Sequence, residues 1–306
     1  MDFNVYSCIL HVFCLLLAAA VVFLSVMLKR SKEKVNAVLE AGNYNVFIND
    51  KELLDDIERG LKNDEFKMYL QFIVDNKTKQ IVSAEALSRW EKADGELVFP
   101  GNYIPAMEKA GMTTKLDYYM FEKACLKLSE WNETDFGAIS ISCNVTRSTI
   151  SEEDFVTKIK DVADRYAFDK AKLIIEITED SIEKNLDIAI KNILRARELG
   201  FCIALDDIGS GYTSLVNLCE YPLDIVKIDR EILLKANGER GKKLFYGIIS
   251  LAHYLNLKVV CEGVETEEQN MLVFESDCDF IQGWYYSKGL SEDKAEAFAK
   301  EYMSKF

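Results

Sequence analysis

Residues 172–207, KLIIEITEDSIEKNLDIAIKNILRARELGFCIALDD, decide the fold. A short apolar run over 172–177 gives way to a stretch over 182–199 whose apolar residues recur at three- and four-residue spacings. A second short run follows over 202–206. A β-like run, an amphipathic helix and another β-like run make one unit of a parallel α/β fold. Both runs carry acid where a buried strand is normally apolar: Glu176 within the first, Asp206 and Asp207 at the end of the second.

Outward from this unit the alternation repeats. Further β-like runs lie at 67–74, 81–87, 138–144, 225–228, 258–262 and 280–282, which brings the strands to eight. Helical patterns occupy 118–131, 152–166, 242–254 and 292–304. The count suits a (β/α)8 TIM-type barrel, for which about 250 residues is usual. The first run is separated from the second only by the turn-like 75–79, so an antiparallel first strand is open. A doubly wound open sheet is the alternative, and no glycine-rich nucleotide loop supports it.

Polar residues interrupt the other runs too: Glu85 in the second, Asn144 ending the third, Lys227 in the sixth, Glu262 ending the seventh and Gln282 ending the eighth. In a parallel barrel the strand ends converge on one mouth, where active sites of this fold lie. A lone desolvated carboxylate must be paired, protonated or metal-bound. Five acids converging with an Asn, a Gln and a Lys describe a hard-cation site, and such oxygen ligands suit Mg²⁺ or Mn²⁺ better than Zn²⁺.

Composition narrows the chemistry. The 306 residues are 49% hydrophobic and 29% charged with 3 prolines, a well-packed globular composition. A formal net charge of -14 argues against a DNA or RNA duplex as partner, because duplex binding relies on basic stripes. Only two histidines exist, His11 and His253, so Ser-His-Asp triads and HExxH sites are unavailable. The eight cysteines include no C-x-x-C pair and read as buried free thiols of a reducing compartment.

Residues 3–28 carry no formal charge, and 5–28 as a helix would span roughly 36 Å against a hydrocarbon core of about 30 Å. Lys29, Arg30, Lys32 and Lys34 follow, which by the positive-inside rule places the bulk of the chain in the cytoplasm. The expected organisation is a single-pass transmembrane anchor over 1–30, a juxtamembrane linker over 31–45 and a catalytic domain over 46–306.

The assembled residues carry a family pattern. Glu85-Ala86-Leu87-Ser88-Arg89 resembles the E-A-L-x-R signature of the EAL family. Ser142-Cys143-Asn144-Val145, Glu176-Ile177-Thr178-Glu179 and Leu205-Asp206-Asp207-Ile208-Gly209-Ser210-Gly211-Tyr212 follow in order. Val226-Lys227-Ile228-Asp229-Arg230, Glu262-Gly263-Val264-Glu265-Thr266 and Ile281-Gln282-Gly283 complete it, covering nearly everything from Phe66 to Leu290.

The resemblance implies a bacterial cyclic di-GMP phosphodiesterase that opens the ring to linear pGpG, and the N-terminal anchor would place it at the inner or plasma membrane. It further implies that Glu85, Asn144, Glu176 and Asp206 hold one metal ion, while Asp206, Asp207 and Glu262 serve a second. Two ions bridged by a carboxylate can activate a water and clamp the scissile phosphate. Lys227, Glu262 and Gln282 are the implied catalytic residues. Gln71, Leu87, Arg89 and Asp229 would contact substrate, with Arg89 at the strand end as the phosphate fork.

Glu179 and Glu265 would support the loop 207–214, which in similar proteins links metal binding to homodimerisation. The pattern departs from the family's at Phe72, Ile208 and Gly289, none of them an implied ligand. A catalytically silent EAL domain acting as a cyclic di-GMP receptor or protein-interaction module is the alternative. No G-G-[DE]-E-F segment is present, so a cyclase activity of this chain is not expected.

Overall fold

The computed structural model describes residues 51–178, 186–208, 218 and 221–305. The chain divides into two units, 1–58 and 59–306. Of the first, residues 51–58 are described and are helical. The expected transmembrane span and linker lie outside the described residues. Among those that are described, no helix is long and apolar enough to cross a membrane.

Among its described residues the second unit is built on ten strands: β1 (Phe66–Asp75), β2 (Ile81–Glu91), β3 (Leu97–Val98), β4 (Ser140–Asn144), β5 (Leu173–Thr178), β6 (Cys202–Ile208), β7 (Ile225–Ile228), β8 (Lys258–Cys261), β9 (Phe280–Gln282) and β10 (Leu290–Ser291). From β2 through β4 to β9 the neighbours pair in parallel, and β1 closes the circle by pairing antiparallel with both β2 and β9. The result is an eight-stranded barrel with one reversed strand. β3 and β10 are two-residue additions on β2 and β1.

The reversal follows from local sequence. Asp75 Oδ1 accepts hydrogen bonds from the backbone N–H groups of Lys77 and Thr78, and Lys79 takes a left-handed φ of 60°. This tight Asp-led turn sends the chain straight back, and the five residues 76–80 leave no room for the crossover helix that a parallel neighbour requires.

The expected strand over 81–87 therefore ends too early. Antiparallel pairing continues through Lys67↔Arg89 and Phe66↔Trp90, so β2 runs on to Glu91. Fully buried Phe66 and Trp90 stack at 5.3 Å, with Tyr103 edge-on to both, an aromatic knot that holds this end of the hairpin.

Helices Thr113–Trp131, Phe155–Ala163, Leu186–Glu198, Glu239–Tyr254, Glu267–Glu275 and Glu292–Met303 follow strands around the barrel. Helix Thr113–Trp131 buries Leu116, Met120, Phe121, Ala124, Cys125, Leu128 and Trp131, a stripe of three- and four-residue steps. Cys125, Cys143, Cys202, Cys261 and Cys278 are free thiols.

Candidate active site

Period-two alternation along β2, β5, β6 and β7 directs Glu85, Glu176, Asp206 and Lys227 into the barrel near the carboxyl ends of their strands. All four are buried. The Lys227 ammonium, 1% exposed, is the hub. Its Nζ lies 2.7 Å from Glu262 Oε1, 3.1 Å from Glu176 Oε2, 3.3 Å from Asp206 Oδ1 and 3.4 Å from Glu85 Oε2. Glu85 also accepts from Gln282 Nε2 at 2.6 Å and from Asn144 Nδ2 at 3.0 Å.

Four carboxylates around one ammonium leave an excess of three negative charges in a buried space. Electrostatics responds as it must. Burial would depress the Lys227 ammonium, but its four acidic neighbours outweigh this and hold it protonated well above the ordinary lysine range. Burial raises Glu176 well above the usual carboxylate range, against Lys227 and helped by Glu85 and Asp206. Glu262 is pushed up to about 8 by burial, Asp206 and Glu85 despite Lys227. Glu85 goes the other way: burial is overcome by Lys227 and by the donors Gln282 and Asn144. Without a cation, the cluster retains protons.

Successive residues of a regular strand face opposite ways, yet Asp206 and Asp207 both serve this mouth. The β6–β7 register breaks between Leu205 and Ile208, and Asp207 adopts a left-handed φ of 61°, a conformation that Asp tolerates better than most residues. Ligand oxygens of Asp206, Asp207 and Glu262 consequently lie within 4.8 Å of one another. Burial and the neighbouring Asp206 and Asp229 carboxylates raise Asp207 to about 6. An all-oxygen donor set with uncompensated negative charge fits a hard divalent cation. Above the cluster opens a cleft of about 330 Å³ whose lining includes Gln71, Glu85, Asp206, Glu262, Gln282 and Trp284.

The EAL domain model matches residues 54–289, and the strand-end carboxylates lie within that match. The chain belongs to the EAL domain family. The signaling protein YkoW of Bacillus subtilis is 29% identical over 249 residues, 81% of this chain and 31% of the relative. The cyclic di-GMP phosphodiesterase NbdA of Pseudomonas aeruginosa is 30% identical over 249 residues, 81% of this chain and 32% of the relative. This chain therefore spans about a third of the length of these curated relatives. The solved structure of the PaMucR phosphodiesterase in complex with c-di-GMP matches with a TM-score of 0.75 at 26% identity, covering 80% of this chain and 99% of that one.

Within this EAL domain the expected ligands Glu85, Asn144, Glu176, Asp206, Asp207 and Glu262 come together, and Lys227 and Gln282 lie among them. Gln71 belongs to the same network, accepting from Gln282 Nε2 at 3.4 Å and donating to the Ser287 carbonyl at 3.0 Å. Leu87 and Arg89 stand farther along β2. Arg89 is not at a strand end, as expected from sequence, because the hairpin carries β2 past it. Its Nη1 donates to the Ser88 carbonyl, and its guanidinium lies over the rings of Phe99 at 5.1 Å and Tyr69 at 5.6 Å.

Asp229 caps helix Arg230–Lys235, accepting from Glu231 N–H at 2.7 Å. Glu265 pairs with Arg230 at 2.8 Å on the cleft wall. Glu179 and most of the loop 207–214 lie outside the described residues. Sequence reasoning gave no role to Arg230 or Trp284, although both line the cleft. Their only signal was adjacency to Asp229 and to Gln282-Gly283, since a single residue at a helix start or after a strand carries no periodicity.

Proposed function

We propose that this chain hydrolyses one phosphodiester bond of cyclic di-GMP to give linear pGpG, in a reaction dependent on Mg²⁺ or Mn²⁺. The observation that carries the reading is the buried Lys227 ammonium ringed by Glu85, Glu176, Asp206 and Glu262 at the barrel mouth of an EAL domain. The name of the relative NbdA and the ligand of the PaMucR complex supply the substrate class.

Glu85, Asn144, Glu176 and Asp206 would hold one ion, and Asp206, Asp207 and Glu262 a second. Bound there, such ions acidify water and neutralise charge on the phosphate. Lys227, whose Nζ lies among these carboxylates, would orient the attacking water and steady developing negative charge. Gln282, fixed between Gln71 and Glu85, keeps the Glu85 carboxylate in place. A span over residues 5–28 would tie the domain to the cytoplasmic face of a bacterial inner membrane, and the resemblance of the loop 207–214 to the family's dimer-coupled loop supports a homodimer.

Variants of the cluster test this reading. Glu85→Ala should abolish turnover by removing a ligand. Lys227→Ala should lower kcat by about 10² to 10⁴-fold while leaving substrate affinity largely intact. Steady-state kinetics alongside equilibrium binding separates the two defects. Full turnover in either variant would remove the cluster from the chemistry.

A further inference from the structure

Among the described residues, the cleft over the carboxylate cluster is lined almost wholly by polar and charged residues and glycine, and Trp284 is the one aromatic among them. Trp284 is 62% exposed, whereas Trp90 and Trp131 are buried. An indole left open to solvent beside a phosphate-binding chemistry is the kind of apolar surface that a ligand covers.

The backbone holds it there rigidly. A Cβ at Gly283 would lie 2.0 Å from the Val264 carbonyl oxygen, so only glycine lets the chain press against Val264 at this point. Val264 N–H donates to the Gln282 carbonyl, Tyr285 N–H to the Val264 carbonyl, and the N–H groups of Tyr286 and Ser287 to the Gly283 carbonyl. These four bonds fix Trp284 two residues from Gln282, whose side chain touches Glu85. Among the described residues, the cation over its ring is Lys288, with Nζ 5.2 Å from the centroid. Such a contact at an exposed site contributes about 0.5–1 kcal/mol, less than the roughly 1–3 kcal/mol of a stacked nucleobase, so a planar base displaces it.

We propose that Trp284 is the platform on which one guanine of the dinucleotide stacks while the scissile phosphate lies over the carboxylates. The proposal rests on the reading of cyclic di-GMP as ligand and adds a residue that holds the base rather than the phosphate.

Intrinsic fluorescence of the full chain, prepared in detergent and titrated with cyclic di-GMP in Ca²⁺, an oxygen-seeking divalent ion in place of Mg²⁺ or Mn²⁺, reads this directly because the other two tryptophans are buried. Saturable quenching is expected in the wild type and should vanish in Trp284→Phe. By calorimetry, Trp284→Ala should bind about 5- to 150-fold more weakly, the equivalent of one lost stack, and Trp284→Phe should recover most of that loss. Binding of Trp284→Ala within twofold of wild type would overturn the proposal, as would equal weakening in the Phe variant. Wild-type protein that shows the quench and the variant series yet yields no pGpG on adding Mn²⁺ would contradict hydrolysis and leave the platform supported. Wild-type protein that does not bind the dinucleotide would overturn both.

Discussion

Asp117 shows how one buried side chain steadies a site residue it never touches. Its carboxylate accepts from Thr146 N–H at 2.8 Å, Thr146 Oγ1 at 2.6 Å and Thr149 Oγ1 at 2.5 Å, pinning the turn that follows Asn144. Burial nevertheless outweighs these donors and raises it from 3.8 to about 6. The fold thus binds this proton more tightly than the unfolded chain does, and Asp117 costs stability as pH rises from about 4 through about 6. With about 1.4 kcal/mol per pKa unit, the cost at neutral pH is about 3 kcal/mol. Asp117→Asn keeps the accepting oxygen and cannot ionise, so its stability relative to wild type should rise by about that amount between pH 4 and pH 8 in urea unfolding. A pH-independent difference would contradict the assignment. Glu85, Glu176, Asp206 and Lys227 were legible because each breaks an apolar run, a conflict that only function or pairing resolves. Asp117 was not legible, since an acid on a helix usually reads as solvated surface.

At the level of elements, the strands were legible almost to the residue, because fully buried parallel strands read as unbroken apolar runs. What escaped was shaped by backbone rather than side-chain pattern: the β6 irregularity that turns Asp206 and Asp207 to one mouth, the extension of β2, and two-residue β3 and β10, too short for any periodicity. Gly283 belongs to this class. Gly283→Ala should destabilise the domain by about 1–3 kcal/mol, because the added methyl meets the Val264 backbone, which cannot give way as a flexible side chain would. Gly101→Ala, with open space around its added methyl, should change stability by well under half as much. Chemical denaturation of both variants checks the contrast, and equal effects would contradict it.

For the molecule as a whole, the composition that excluded a duplex partner also describes the site, since an acidic protein with an acidic barrel mouth must recruit cations before it can hold a phosphate. Because Glu262 and Asp207 sit near 8 and 6, a divalent ion must displace protons to bind. Metal-induced thermal stabilisation should therefore grow as pH rises from about 6 to about 8.5. At a hundredfold excess over Kd it reaches about 2.7 kcal/mol, a shift of roughly 5–10 °C. A shift that shrinks with rising pH would contradict a carboxylate site.

If the Lys227-centred cluster cleaves cyclic di-GMP with the help of divalent ions, the linear product must form only when such an ion is present. Chromatography of the products formed by the purified full chain, with Mg²⁺ or Mn²⁺ and again with EDTA, tests it most directly. Stoichiometric conversion of cyclic di-GMP to pGpG is expected with either ion and none with EDTA, whereas tight binding without any pGpG in either metal would refute hydrolysis by this cluster.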